Sequence, residues 1–116
     1  MAITIYRGFG KRGQGMGSGD AGGMWWSTDS YAAGQYGPRM VKAELTGKVK
    51  TIDASKLEGL IFASISQQEE TLTRLCGKAK ALVIKGWHNS ADGDERTVFI
   101  PAGIDAYTEC ENPWNY

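Results

Sequence analysis

Strict alternation of apolar and polar residues is the strongest pattern in the chain. In the segment "MVKAELT", Val41, Ala43 and Leu45 occupy every second position, as expected for a β-strand with one buried face. Further strands are predicted in the segments "AITIYR", "MWWS", "KVKTID", "KALVIKG" (a central strand) and "ERTVFIP". We therefore expect a protein built mainly from short, paired strands.

Helical signals are fewer. Thr28 or Asp29 can cap a two-turn helix that ends near Tyr36, where a glycine and a proline follow as stop signals. Ser66 and Glu69 have the spacing of a capping box, which predicts a helix in "QQEETLTRLC". A further short helix is predicted in "SKLEGLIFA", whereas the tail "YTECENPWNY" predicts no element. The sequence therefore predicts an α+β fold with two or three short helices.

The size and composition are those of one globular domain. A chain of 116 residues and 12.6 kDa is expected to form a single unit, residues 1–116. It contains no apolar run near the roughly 20 residues of a membrane span, and its start lacks the pattern of a signal peptide. Cys76 and Cys110 have no metal-ligand spacing and suit a reducing cytoplasm. Because His88 is the single histidine, no metal site is expected.

The net charge of +0 conceals an uneven distribution. Residues 1–50 contain seven basic and three acidic residues, so this half carries +4 and the remainder carries −4. Such an arrangement fits a phosphate-binding lobe beside a carboxylate-bearing one, and it also fits chance distribution over solvated faces.

Residues 8–23 contain eight of the sixteen glycines and are predicted to form a long loop. They begin with a literal G-x-G-x-x-G, from Gly8 to Gly13, after a predicted strand. A dinucleotide-binding Rossmann unit would need a helix directly after the third glycine. Here "QGMGSGDAGG" follows, and each glycine costs a helix about 1 kcal/mol relative to alanine. We therefore exclude a Rossmann unit.

Three motifs together resemble another family. "YRG" on the first strand, "WWSTDSYAAGQYG" before the strand "MVKAELT", and "DERTVFIPAGI" near the end occur in this order. They resemble the ADP-ribosyltransferase fold of the arginine-serine-glutamate type, as found in small phage or bacterial effectors. The resemblance covers residues 3–46 and 80–104, and it implies split antiparallel β-sheets with two or three short helices.

The resemblance also implies a substrate and a site. Such enzymes cleave the nicotinamide–ribose bond of NAD through an oxocarbenium-like state, which a fixed carboxylate stabilises. The implied catalytic residues are Glu95, Arg7 and Ser27. A planar, always charged arginine suits the phosphate or ribose oxygens of NAD. The residues implied to bind NAD are Arg7, Gly8, Ser27, Thr28, Trp26 and Tyr36.

Two departures from the family pattern leave an alternative open. Arginine-modifying members carry Glu or Gln two residues before the catalytic glutamate, and Gly93 stands there in this chain. In a second register, Glu95 takes that earlier position and Thr97 replaces the catalytic glutamate. The fold would then be kept and the catalysis lost.

Three functions follow as hypotheses. The first is an NAD-dependent ADP-ribosyltransferase that modifies a host macromolecule in the host cytoplasm. The second is a catalytically inert protein of the same fold that binds and inhibits a host protein. The third, a nucleic-acid binder, is disfavoured by the net charge of +0 and the absence of a recognised module. No membrane partner is expected.

Overall fold

The strands of the protein form one mixed sheet. The computed structural model describes residues 2–10, 21–87 and 95–114. Within these ranges there are seven strands: β1 (Ile3–Phe9), β2 (Trp25–Ser27), β3 (Arg39–Leu45), β4 (Val49–Asp53), β5 (Ala81–Lys85), β6 (Arg96–Phe99) and β7 (Thr108–Cys110). Their order across the sheet is β4-β5-β6-β2-β1-β3-β7. With two α-helices, this is an α+β fold, as predicted.

The pairing is antiparallel except at one edge. Only β4 and β5 run parallel among the pairs of the described strands. The expectation of purely antiparallel sheets is therefore wrong at this edge, because the chain between β4 and β5 crosses over through a helix. β7, which the sequence did not predict, pairs with β3 from Met40 to Lys42.

The helices begin and end close to their predicted positions. Helix α1 (Ser30–Gly34) is capped by the Asp29 side chain. Helix α2 (Ile65–Cys76) begins with a capping box of Ser64 and Gln67, not Ser66 and Glu69. The predicted helix in "SKLEGLIFA" is instead two short 3₁₀ helices, Ala54–Leu57 and Leu60–Phe62, separated by a glycine with φ 82°.

Both faces of the sheet carry a hydrophobic cluster. The cluster on the face covered by α2, here the α2 face, includes Trp25, Trp87, Phe99 and Leu72. The cluster on the opposite face, here the Trp26 face, includes Ile5, Val41, Val98 and Trp26. The adjacent tryptophans lie on opposite faces because side chains alternate along β2.

The sheet is nearly divided between β1 and β2. β1 and β3 are paired at seven positions, whereas β1 and β2 are paired at one, Tyr6 opposite Ser27. β2 is in turn paired with β6, with Ser27 opposite Thr97. This junction, where little backbone pairing holds the two halves together, lies beside the residues that the sequence implicated in function.

A hydrogen bond ties α2 to the sheet. The Trp25 indole donates to Glu69 Oε2 at 2.9 Å, while its ring packs against Phe99 with centroids 5.0 Å apart. The position of α2 over β2 therefore depends on a polar contact as well as on apolar burial.

Replacing Glu69 is expected to destabilise the protein. Glu69→Ala leaves the partly buried indole N–H without its charged acceptor, so the free energy of unfolding should fall by about 1.5 kcal/mol or more. Glu70→Ala, one residue further on the exposed side of α2, is the matched control and should have no such effect. Chemical denaturation of both variants measures the difference, and equal stabilities would contradict the assigned role of Glu69.

Candidate active site

Ser27 and Glu95, which are 68 positions apart in the chain, meet at the sheet. The Ser27 hydroxyl donates to Glu95 Oε1 at 2.9 Å. Ser27 ends β2, and Glu95 directly precedes β6, the neighbouring strand. The two side chains are 7% and 4% exposed, so the carboxylate is almost withdrawn from water. The structure thus brings together two of the three predicted catalytic residues.

The start of α1 orients the Ser27 hydroxyl. The backbone N–H of Asp29 donates to Ser27 Oγ at 3.0 Å. Because one lone pair of Oγ is occupied in this way, the hydroxyl hydrogen is directed at Glu95. Asp29 is itself fixed as the cap of α1, since its Oδ1 accepts from Tyr31 N at 2.9 Å. The sequence "STD" therefore provides both the cap of the helix and the donor for the carboxylate.

Thr28 holds the backbone beside Glu95. Its Oγ1 accepts from Arg96 N at 2.9 Å, and its own N–H donates to the Arg96 carbonyl at 3.0 Å. These two bonds fix the main chain at the residue next to Glu95. The structure therefore gives the Thr28 hydroxyl a positioning role, and its contact with NAD stays a prediction.

Two polar atoms beside this pair have no hydrogen-bond partner. Glu95 Oε2 and Thr97 Oγ1 are both buried and unpaired among the described residues. A buried carboxylate oxygen that lacks a donor is unusual, because the unpaired group is expensive to withdraw from water. The second oxygen of Glu95 is therefore a buried acceptor without a donor among the described residues.

Ser27 lies beside both Glu95 and Thr97, the residues on which the two registers of the final motif differ. Thr97 lies directly opposite Ser27 across the β2–β6 pair, yet the Ser27 hydroxyl donates to Glu95. The carboxylate that a neighbouring serine orients is thus Glu95. Thr97, on β6 opposite Ser27, has a buried hydroxyl.

Arg7 lies at the β1–β2 junction. It follows Tyr6, the residue opposite Ser27, and its Nη1 donates to the Trp25 carbonyl at 2.9 Å. Gly23 packs against the guanidinium so closely that a Cβ there would lie 2.5 Å from Nη2. The side chain is 6% exposed. The buried guanidinium of Arg7 therefore contacts β2 at Trp25, two residues before Ser27.

Arg7 and the Ser27–Glu95 pair approach the junction from different sides. Alternation along β1 places Arg7 with Ile5 on the Trp26 face, whereas Ser27 lies on the α2 face. A ligand that contacts all three predicted catalytic residues must therefore reach both sides of the sheet, at the point where a single residue pair bridges it.

Two further residues predicted to bind NAD, Tyr36 and Gly8, lie in different surroundings. Tyr36, after α1, lies near Glu95, and burial together with the negative charge of Glu95 raises the pKa of the Tyr36 phenol above its ordinary value of 10.0. Gly8 is covered by α1, since a Cβ there would collide with the Ala33 carbonyl. Tyr36 therefore stands beside the carboxylate as a neutral phenol, whereas Gly8 allows the helix to approach β1.

Neither tryptophan of β2 can stack on a ligand. Trp26 is 3% exposed, and its indole donates to the Gly23 carbonyl at 2.8 Å. Trp25 is 5% exposed on the other face. Both rings belong to the core clusters that cover the two faces of the sheet, so the structure gives no support to the predicted contact of Trp26 with NAD. Two aromatic residues that sequence reasoning did not assign to a site, Tyr31 and Trp114, are exposed instead.

Other predicted features lie outside the described residues. These are most of the glycine-rich loop (residues 11–20), His88, and Gly93 at the acceptor-activating position. Within the described ranges, no group of three or more His, Cys, Asp or Glu could hold a metal ion. In the same part of the chain, no helix has the length and apolar character needed to cross a membrane.

Comparison with protein-family models, curated proteins and solved structures gives no match to this chain.

The influence of Glu95 on Tyr36 can be measured directly. Glu95→Gln removes the nearby negative charge, so the pKa of Tyr36 should fall towards 10.0, although burial keeps it above that value. In the native protein the raised pKa stabilises the fold below pH 10, and this contribution is lost as the pH rises through the pKa of the folded state.

The measurement is the absorbance of tyrosinate between pH 9 and 13 in the native protein and in Glu95→Gln. Tyr36→Phe, which should remove the highest-titrating component, identifies the signal. Identical titration curves for the native protein and Glu95→Gln would show that the phenol does not sense this carboxylate.

Proposed function

We propose that the protein is an NAD-dependent ADP-ribosyltransferase of the arginine-serine-glutamate type, acting on a host macromolecule in the host cytoplasm. The single observation that carries this proposal is the buried Glu95 carboxylate, with one oxygen bonded to Ser27 and the other unpaired. The near division of the sheet between β1 and β2 supports an ADP-ribosyltransferase-like split of the fold.

The carboxylate has the chemistry that cleavage of NAD requires. As the C1′–N bond breaks, its electron pair passes to the nicotinamide nitrogen and positive charge develops on the ribose. A fixed negative group beside the sugar stabilises that charge, and it does so more strongly where water is excluded. The Ser27 bond holds Glu95 Oε1, so that Oε2 can accept a hydrogen bond from a ribose hydroxyl.

The transfer is completed by a nucleophile of the acceptor. Its oxygen, nitrogen or sulfur atom forms a bond to C1′ and loses its proton to solvent, and nicotinamide departs as a neutral molecule. If water is the nucleophile that attacks C1′, the product is free ADP-ribose. No metal or redox step is needed for this balance.

Arg7 supplies positive charge for the diphosphate. Arginine remains charged at any physiological pH, and its planar group suits phosphate oxygens. The Trp25 carbonyl and the close packing of Gly23 hold the guanidinium at the junction. In this proposal NAD lies across the β1–β2 junction, with its diphosphate towards Arg7 and the nicotinamide ribose towards Glu95.

An apolar surface favours a second candidate function, the inert protein that binds and inhibits a host protein. Phe62 is 91% exposed at the end of a 3₁₀ helix, and its neighbours Ile61 and Ile65 are also exposed. Exposed apolar groups of this kind are typical of protein interaction sites. The low exposure of Glu95 and the threonine at position 97 are compatible with this function too.

Glu95→Gln tests the enzymatic function. The glutamine keeps an acceptor for Ser27 but loses the charge, so the rate of nicotinamide release from NAD should fall by about 100-fold or more. Glu70→Gln makes the same chemical change on the exposed side of α2 and should retain the native rate. Nicotinamide is measured by chromatography, and transfer to host lysate proteins or nucleic acids by mass spectrometry.

The two candidate functions predict opposite results. If neither nicotinamide nor ADP-ribosylated material appears above the Glu95→Gln background, the enzyme is excluded. Capture of one host protein by the native protein and Glu95→Gln alike, with loss of capture in Phe62→Ala, would then support the inhibitor.

A further inference from the structure

Two exposed aromatic side chains form a surface that no part of the proposed chemistry has used. Tyr31 of α1 and Trp114 are 56% and 39% exposed, and their ring centroids lie 4.9 Å apart at an interplanar angle of 37°. We call this pair the aromatic shelf. Flat, exposed rings of this type are the groups on which a nucleobase stacks.

The shelf is held in place by a network of hydrogen bonds. The Trp114 indole donates to the Tyr31 carbonyl at 2.6 Å, and Trp114 N donates to Asn112 Oδ1 at 2.9 Å. Asn112 Nδ2 in turn donates to the carbonyls of Gly34 and Gly37 at 3.1 and 2.7 Å. The tail is therefore fastened to the end of α1 by polar bonds, and the exposed ring is fixed before any ligand arrives.

The residue beneath the shelf has no room for a side chain. A Cβ at Gly34 would collide with Asn112 Oδ1 and would lie 2.6 Å from Trp114 Cδ1. Glycine at this position allows the indole to lie directly against the helix. The same helix thus supports the aromatic ring on one side and orients Ser27 at its beginning.

The shelf is within reach of the proposed site. Tyr31 follows Ser27 by four residues, and the main chain between them passes through the Asp29 cap. Four residues span at most about 14 Å. The two rings of a dinucleotide are separated by two riboses and a diphosphate, which can bridge such a distance.

We propose that the aromatic shelf binds the adenine ring of NAD. This inference rests on the proposed function. The nicotinamide end must lie beside Glu95 and leave during the reaction, whereas the adenine end remains attached to the transferred group and lies away from the carboxylate. The shelf takes the stacking role for which Trp25 and Trp26 are too deeply buried.

Fluorescence can report on the shelf specifically. The chain contains four tryptophans, of which Trp25, Trp26 and Trp87 are no more than 5% exposed. Trp114 is the exposed one. A base that stacks on it should quench its emission, and the native protein can be used for this measurement without any substitution.

The first experiment titrates the native protein with AMP, which has adenine and no nicotinamide, and with nicotinamide mononucleotide, which has no adenine. AMP should quench the tryptophan emission saturably, and nicotinamide mononucleotide should do so far less. In Trp114→Phe the AMP-dependent change should disappear. Equal responses to the two nucleotides, or no response to AMP, would overturn the proposal.

The second experiment compares steady-state NAD cleavage by the native protein and Trp114→Ala. Loss of one stacking partner should raise KM for NAD at least about fivefold and leave kcat within about twofold. Tyr107→Ala removes an aromatic residue of similar exposure, which directly precedes β7 whereas Trp114 follows it, and should leave both constants unchanged. Circular dichroism establishes that the variants are folded.

The outcomes separate the two proposals. Native activity with an unchanged KM in folded Trp114→Ala overturns the shelf and leaves the enzyme intact. No nicotinamide release by the native protein overturns the enzyme, and AMP quenching then still decides whether the shelf binds adenine. Quenching by a host protein and not by AMP would instead identify the shelf as an interaction surface and overturn its nucleotide role.

Discussion

The hydrogen bond between Ser27 and Glu95 is the interaction on which the centre of this protein depends. Withdrawing a carboxylate from water is costly unless its oxygens are bonded. The Ser27 hydroxyl donates to Oε1, while its oxygen accepts a hydrogen bond from the Asp29 N–H. Consequently β2, the segment entering β6 and the first turn of α1 are positioned together. A change in any one of them alters the surroundings of the charge.

The junction between β1 and β2 contains a second buried charged group, the Arg7 guanidinium. Where the backbone ladder is reduced to a single pair, the Arg7 guanidinium bonds to the Trp25 carbonyl and helps to join the two halves. The Arg7 side chain thus makes a hydrogen bond between β1 and β2, where main-chain pairing is reduced. Sheets usually use backbone groups for this purpose.

Local sequence patterns predicted the strands well because their alternation reflects burial on one face. The predicted strand of residues 40–46 corresponds to β3, residues 39–45. The capping box was misplaced by two residues because "SISQQE" contains two overlapping candidates. Gln68 explains which one forms, since its amide bonds to the carbonyls of Ile61 and Ala63 and brings the chain into the helix at Ser64.

The site was less accessible to sequence reasoning than the strands. Ser27 and Glu95 were predicted through a family resemblance, and their contact depends on strand order, which alternation does not encode. The exposure of Trp114 could not be foreseen either. Its fixed position depends on Asn112, whose partners Gly34 and Gly37 lie 78 and 75 positions earlier in the chain.

These long separations have a consequence for the protein during its synthesis. A nascent chain that has emerged only as far as β5 already contains Arg7 and Ser27. It lacks Glu95 and also Asn112, the residue that bonds to the end of α1. The hydrogen bond between Ser27 and Glu95 can therefore form only late in translation.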